Sequence, residues 1–239
     1  EIGARLQKHA EETGQRILFH TDAVQAYAHI PLDVDELKVD LMSASSHKLN
    51  GPKGVGFLYV RRGVKLPSFL HGGEQERGRR AGTENVAGIV GFAQAAASSL
   101  DRMAQRIAEE SAIRDHLIQR LLDEIPYTSL NGDPTHRLPN NVNVCFKYIE
   151  GETLLLLLNE KHIYASAGSA CASGSLEPSH VLRAIGVAHE DAYGSLRLTI
   201  GPETTIADVD EVVDLMKPII AQLREQSPLY QAISAHPST

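Results

Sequence analysis

Four consecutive residues, Ser45-Ser46-His47-Lys48, close the short run Leu41-Met42-Ser43-Ala44-Ser45, which reads as a strand. A lysine whose amine is neutral and held in place can condense with a carbonyl, and hydroxyls and an imidazole beside it can hold a phosphate. Upstream, His20-Thr21-Asp22-Ala23-Val24-Gln25 sets a carboxylate at the end of another strand-like run. A carboxylate there can pair with a protonated ring nitrogen and keep that ring electron-withdrawing. On the motifs alone, Lys48 also reads as a solvated surface lysine and Asp22 as the cap of a following helix. A third feature is Cys171, set among small residues in Ser166-Ala167-Gly168-Ser169-Ala170-Cys171-Ala172-Ser173-Gly174. That composition predicts an accessible loop, and a nucleophilic thiol must be accessible and partly thiolate. The other cysteine, Cys145, lies in the alternating run NVNVCF and reads as a buried structural residue.

The elements that would position these residues are legible from periodicity. Ile2, Leu6 and His9/Ala10 fall on one helical face that stops near Gly14, and Ile17–His20 then reads as a short buried strand running into Thr21-Asp22. Val34–Val39 suggests a helical turn, Leu41–Ser45 a second strand and Gly54–Val60 a third. Alternation of helix and strand predicts an α/β unit with a mostly parallel sheet, whose strand ends carry Asp22 and Lys48. The polar, glycine-rich stretch His71–Asn85 is too long and charged for a simple turn, and loops of that kind usually carry function or motion. Apolar residues recur at helical spacing from Val86 to Ile125, and a domain boundary falls within that run near residue 101. Beyond it, Asn141–Phe146 and Ser195–Ile200 alternate as strands, while Gly151–Leu158, Ser179–Ile185 and Thr205–Gln226 read as helices. These predict a small α+β layer, giving domains 1–100 and 101–239.

Composition narrows the class. The chain has 239 residues, 42% of them hydrophobic, which is enough for a packed core and argues against wholesale disorder. Its formal charge of −7 argues against a general nucleic-acid surface. Two cysteines and no CxxC pair exclude a disulfide scaffold and a zinc ribbon, so no metal is expected and a reducing cytoplasm is the natural compartment. The longest apolar run, Leu154–Leu158, is far too short to cross a bilayer, and Glu1–Arg5 does not read as a secretory signal.

Taken in order, HTDAVQ, SSHK followed by GPKGVGFLYVRR, HGGEQERGRRAGTEN and SAGSACASGSLEPSHVLRAIG resemble the cysteine desulfurases of nitrogen fixation and iron–sulfur-cluster assembly, over about Phe19 to Gly201. Each block alone is modest; four in order are specific. The resemblance implies a homodimeric enzyme of the aspartate-aminotransferase-like fold that uses pyridoxal phosphate (PLP). The first domain would be the C-terminal part of the PLP-binding large domain, and the second the small domain with the catalytic cysteine loop. Carried over by motif, Lys48 resembles the lysine that holds PLP, Asp22 the partner of its ring nitrogen and Gln25 the donor to its phenolic oxygen. Ser45 and His47 resemble phosphate ligands, and Thr83 a phosphate ligand contributed across the dimer. Arg197 resembles the clamp on the substrate carboxylate, a task that suits a planar guanidinium; without the resemblance it reads as a surface arginine on an alternating strand. Cys171 resembles the residue that takes sulfur from L-cysteine as a persulfide and leaves L-alanine.

The family carries roughly another domain half before the point where this chain begins, including a histidine that stacks on PLP and an asparagine that bonds its phenolic oxygen. The chain is therefore expected to need that N-terminal segment. Rival readings are an aminotransferase or lyase on the same fold, which has no need of Cys171, a cysteine hydrolase, and an incomplete dimerisation or scaffold-binding piece. A phosphate-loop nucleotidase fits poorly, because Gly51–Gly56 lacks the GK[ST] ending. The sulfur acceptor, an iron–sulfur scaffold or another protein, is not written in these residues.

Overall fold

Helix α1 (Ile2–Thr13) stops at Gly14, which takes the left-handed conformation (φ 71°) and returns its N–H to the Ala10 carbonyl. A glycine suits that position because it carries no Cβ to clash. The computed structural model describes residues 1–167 and 178–235. The chain divides into two units, Glu1–Gln105 and Arg106–Thr239.

In the first unit, β1 (His20–Asp22), β2 (Leu41–Ser45) and β3 (Gly56–Val60) form a sheet in the order β1-β2-β3. β1 and β2 are parallel; β2 and β3 are antiparallel, a mixture common where a sheet carries an antiparallel strand beside parallel ones. The first strand lies further along the chain than the sequence suggests. Ile17 and Leu18 are about half exposed, and pairing begins only at His20. The Phe19 N–H is taken by the Asp40 carboxylate (2.9 Å), which also holds Arg16 (2.6 Å), so this donor is lost to a ladder. Val34–Val39 forms turns, as its Leu37 N–H and Val39 N–H bonds to Asp33 and Val34 attest. His71–Asn85 is largely irregular, with one short turn of helix, α2 (Gln75–Gly78), in which Glu76 and Arg77 take positive φ. The run from Val86 is two helices, α3 (Val86–Asp101) and α4 (Met103–Glu124), separated at Arg102. Phe92 and Ala96 of α3 pack with Ala28, Ala44 and Leu49, and Phe57 stacks on Phe92 at 5.7 Å between ring centres.

In the second unit, β4 (Thr128–Leu130), β5 (Asn141–Phe146) and β6 (Ser195–Thr199) make an antiparallel sheet in that order. Around it lie α5 (Gly151–Glu160), the short α6 (His180–Ala184) and α7 (His189–Ala192), the long α8 (Ile206–Glu225) and α9 (Pro228–Ala235). Val142, Val144 and Phe146 of β5 and Leu196 of β6 are wholly buried against Leu121, Leu154, Leu158, Val213 and Ile220. No helix among the described residues is long and apolar enough to cross a membrane.

A charge network ties α4 to α8. Arg120 donates to Glu124, Asp210 and Asp214, and Lys217 joins Glu124 to Asp214 at 2.7 Å each. Hydrogen bonds from Arg120 and then Lys217 hold the Glu124 carboxyl down to about 2, from an ordinary 4.5. A carboxylate depressed on folding stabilises the fold above its unfolded value and loses that contribution as pH falls through the folded one. Glu124→Gln is therefore expected to flatten the fall in melting temperature between pH 4.5 and pH 2. Added salt should shrink the difference, since these groups are part-exposed. Thermal melts at stepped pH check this, and parallel curves for parent and variant would contradict it.

Candidate active site

Because β1 and β2 are parallel, their carboxyl ends lie on the same edge of the sheet, with Asp22 opposite Ser43. Ligands of open α/β sheets bind at such ends. Side chains alternate along a strand, so His20, Asp22, Ser43 and Ser45 fall on one face; His20 Nε2 lies 3.1 Å from Ser43 Oγ. Asp22 is exposed, and its Oδ1 accepts the Val24 N–H at 2.9 Å. That bond fixes the carboxylate and leaves Oδ2 to another partner. Gln25 follows, exposed, in the turn that leaves β1.

β2 passes directly into a 3-10 turn, Ser46–Leu49. Leu49 is buried in the core under the turn, while His47 and Lys48 face outward. Lys48 makes no ion pair among the described residues. Asn50 closes the turn in the left-handed region (φ 60°), returning its N–H to the Ser46 carbonyl. Gly51 follows where a Cβ would lie 2.2 Å from Ser46 Oγ, so the sequence Ser-x-x-x-x-Gly is a packing requirement. Ser46, named in the motif without a role of its own, has its hydroxyl buried with no hydrogen-bond partner among the described residues. Such a group costs about 1–3 kcal/mol. Ser46→Ala is expected to stabilise the protein by about 1 kcal/mol and leave the turn in place; a denaturant titration checks it, and a destabilised variant would contradict it.

Thr83 is exposed, just beyond the bridge of Leu70 to Arg80, and makes no hydrogen bond to the Lys48 turn among the described residues. Arg197 belongs to the second unit. It sits mid-strand on β6, opposite Asn143, with neighbours Leu196 and Leu198 turned into the core. Its own side chain is half-buried on the other face and has no acidic partner among the described residues. On its free side β6 receives Ser166: Arg197 N–H donates to the Ser166 carbonyl (2.6 Å) and Ser166 N–H to the Arg197 carbonyl (3.1 Å). Cys171 lies outside the described residues. Cys145 is wholly buried; burial pushes its thiol up, although the Asn131 amide donates to Sγ at 3.1 Å. It is therefore a poor nucleophile. No cluster of three metal-ligating side chains occurs among the described residues.

The model of the class-V aminotransferases matches residues 4–212, and the chain belongs to that family. Within it, the chain is 58% identical over 214 residues to the "Cysteine desulfurase IscS" of Methanosarcina thermophila, covering 90% of this chain and 53% of that protein. It is 52% identical over 226 residues to a "Cysteine desulfurase" of Gluconacetobacter diazotrophicus, covering 95% of this chain and 56% of the relative. Among solved structures, a "NIFS-LIKE PROTEIN" superposes with a TM-score of 0.82 at 33% identity, over 93% of this chain and 57% of its own. The NifS-like protein of Rickettsia africae gives 0.80 at 26% identity, over 92% and 57%. The chain thus spans about half the length of the relatives it matches.

Enzymes of this family use pyridoxal phosphate. The donor set at the end of β1 and β2 fits it. An outward lysine without a counter-ion can hold an aldehyde, a fixed carboxylate with one oxygen to spare can take a pyridinium, and a hydroxyl and an imidazole flank the lysine.

Proposed function

We propose that the protein carrying this chain is a PLP-dependent cysteine desulfurase. It converts L-cysteine to L-alanine and takes the sulfur onto Cys171 as a persulfide. The observation that carries this reading is the convergence of Asp22 and Lys48 at the carboxyl ends of one parallel strand pair. The kinship with desulfurases supplies the reaction class. When bound, PLP supplies an electron sink for the substrate's Cα.

The chain's own residues do the rest. Asp22 holds the cofactor's ring nitrogen in its protonated form, Gln25 donates to its phenolic oxygen, and Ser45 and His47 anchor its phosphate. Thr83 reaches the phosphate of the partner subunit in a homodimer, which its exposure permits. Arg197 grips the substrate carboxylate; a half-buried guanidinium with no internal acid is available for that task. Lys48 moves the proton at Cα. The Cys171 thiolate attacks the substrate sulfur: the Sγ–S bond forms, the Cβ–S bond breaks, and its electron pair stays with the carbon, which gains protons and leaves as L-alanine. One L-cysteine and one thiol thus give one L-alanine and one persulfide, with no external oxidant.

The two units correspond to the end of a PLP-binding large domain and a small domain carrying the cysteine loop. An N-terminal segment completes the large domain; the half-exposed Ile17 and Leu18 beside β1, which has one strand neighbour among the described residues, suit such a partner. The persulfide passes to an iron–sulfur scaffold or another acceptor protein in the cytoplasm. The test is L-alanine release from L-cysteine by the full protein, with and without PLP. PLP-dependent alanine formation is expected; keto-acid formation without sulfur transfer would favour a same-fold aminotransferase.

A further inference from the structure

The Lys48 turn is held by a side chain that no motif singles out. The last carbonyls of a helical turn have no partner within it. That of Lys48 lies 3.3 Å from the Nε2 of His29, a residue on the loop after β1. A carbonyl only accepts, so Nε2 is the nitrogen that carries the proton. The loop is built to present this ring. Ala28, immediately before it, takes a left-handed conformation (φ 58°) that side chains disfavour, and is kept there as a residue 1% exposed in the core cluster that holds Leu49. His29 N–H and Ile30 N–H both donate to the Ala26 carbonyl, closing the turn. The loop that carries Gln25 is thereby bonded to the turn that carries Lys48.

We propose that His29 is a positioning residue for Lys48: by donating to the Lys48 carbonyl it fixes the peptide plane beside the lysine and so the direction in which the amine is presented to the cofactor. The proposal rests on the reading of Lys48 as the PLP-holding lysine. Four bonded residues of 3-10 geometry are a weak frame by themselves. A plane free to turn would let the amine leave its station without unfolding the unit.

The test uses the full protein loaded with PLP and two readouts besides turnover: the pH midpoint of the visible absorption of the lysine-linked cofactor, and the rate at which added hydroxylamine removes it. His29→Leu removes the donor, and His29→Asn is too short to reach the carbonyl; His29→Gln sets an amide N–H near the place of Nε2. We expect the Leu and Asn variants to lose the cofactor about three- to tenfold faster, the range set by one hydrogen bond, with a displaced midpoint. The Gln variant should stay close to the parent. Should the Leu variant fail to fold, the gentler Asn variant carries the comparison with Gln. Parental release rates and midpoints in Leu and Asn, or in Asn alone, would overturn the proposal. Lys48→Ala separates the two claims: if it keeps the lysine-linked absorption, the reading of Lys48 falls and the proposal with it. If it loses that absorption while the His29 variants match the parent, only the positioning role falls.

Discussion

Lys48→Ala is expected to lower L-alanine formation from L-cysteine by at least about 10²–10⁴-fold, the range associated with losing one positioned acid–base group. Lys48 is asked both to hold the cofactor and to move the Cα proton, so the observed loss should sit at the upper end. Its effect on stability should be small by contrast. The side chain is exposed, makes no ion pair among the described residues, and projects from a turn whose anchor is the buried Leu49. A surface substitution of that kind usually stays within about 0.5 kcal/mol. Steady-state kinetics and a denaturant titration on one preparation give both numbers. Retained activity would remove Lys48 from the mechanism; lost activity with lost stability would make it a structural residue.

Leu196→Ala and Arg197→Gln, adjacent on β6, are expected to fail in opposite ways. Leu196 is wholly buried among Val144, Leu158 and Val213, and its truncation leaves a cavity in a close-packed core. The expected loss is about 2–5 kcal/mol of unfolding free energy. Arg197 faces away from that core and has no acidic partner among the described residues, so its loss should cost little stability. If it grips the substrate carboxylate, its removal should lower kcat/KM by about 30-fold or more, which corresponds to about 2 kcal/mol. A fall in stability for Arg197→Gln with kcat/KM unchanged would assign it to the fold.

The features legible in the sequence are those set by local chemistry. Gly14 ends α1 because a left-handed residue is needed there. Thr205 begins α8 because its hydroxyl accepts the Asp208 N–H while the Asp208 carboxylate accepts the Thr205 N–H, a reciprocal pairing four residues contain by themselves. The alternation of β5 and β6 reports one buried face. What local pattern does not carry is pairing over distance. β1 begins three residues later than its apolar run because Asp40, far along the chain, captures the Phe19 N–H. β4 is three half-buried residues that are a strand only because β5 lies beside them. α9 is likewise too short to announce itself, and is fixed by Tyr230 against Tyr127 and Tyr148. At the candidate site, the motifs point to Asp22 and Lys48, whereas the bond from His29 to the Lys48 carbonyl spans 19 residues and has no sequence signature.

Sulfur from L-cysteine is expected to reach Cys171 through chemistry that needs Lys48. Incubating the full protein with L-cysteine, alkylating its thiols and weighing the peptide that contains Cys171 tests it most directly. One added sulfur is expected on that peptide, none on the peptide of the buried Cys145, and none at either position in Lys48→Ala. An unmodified Cys171 in a protein that forms L-alanine, or an added sulfur that survives Lys48→Ala, would contradict it.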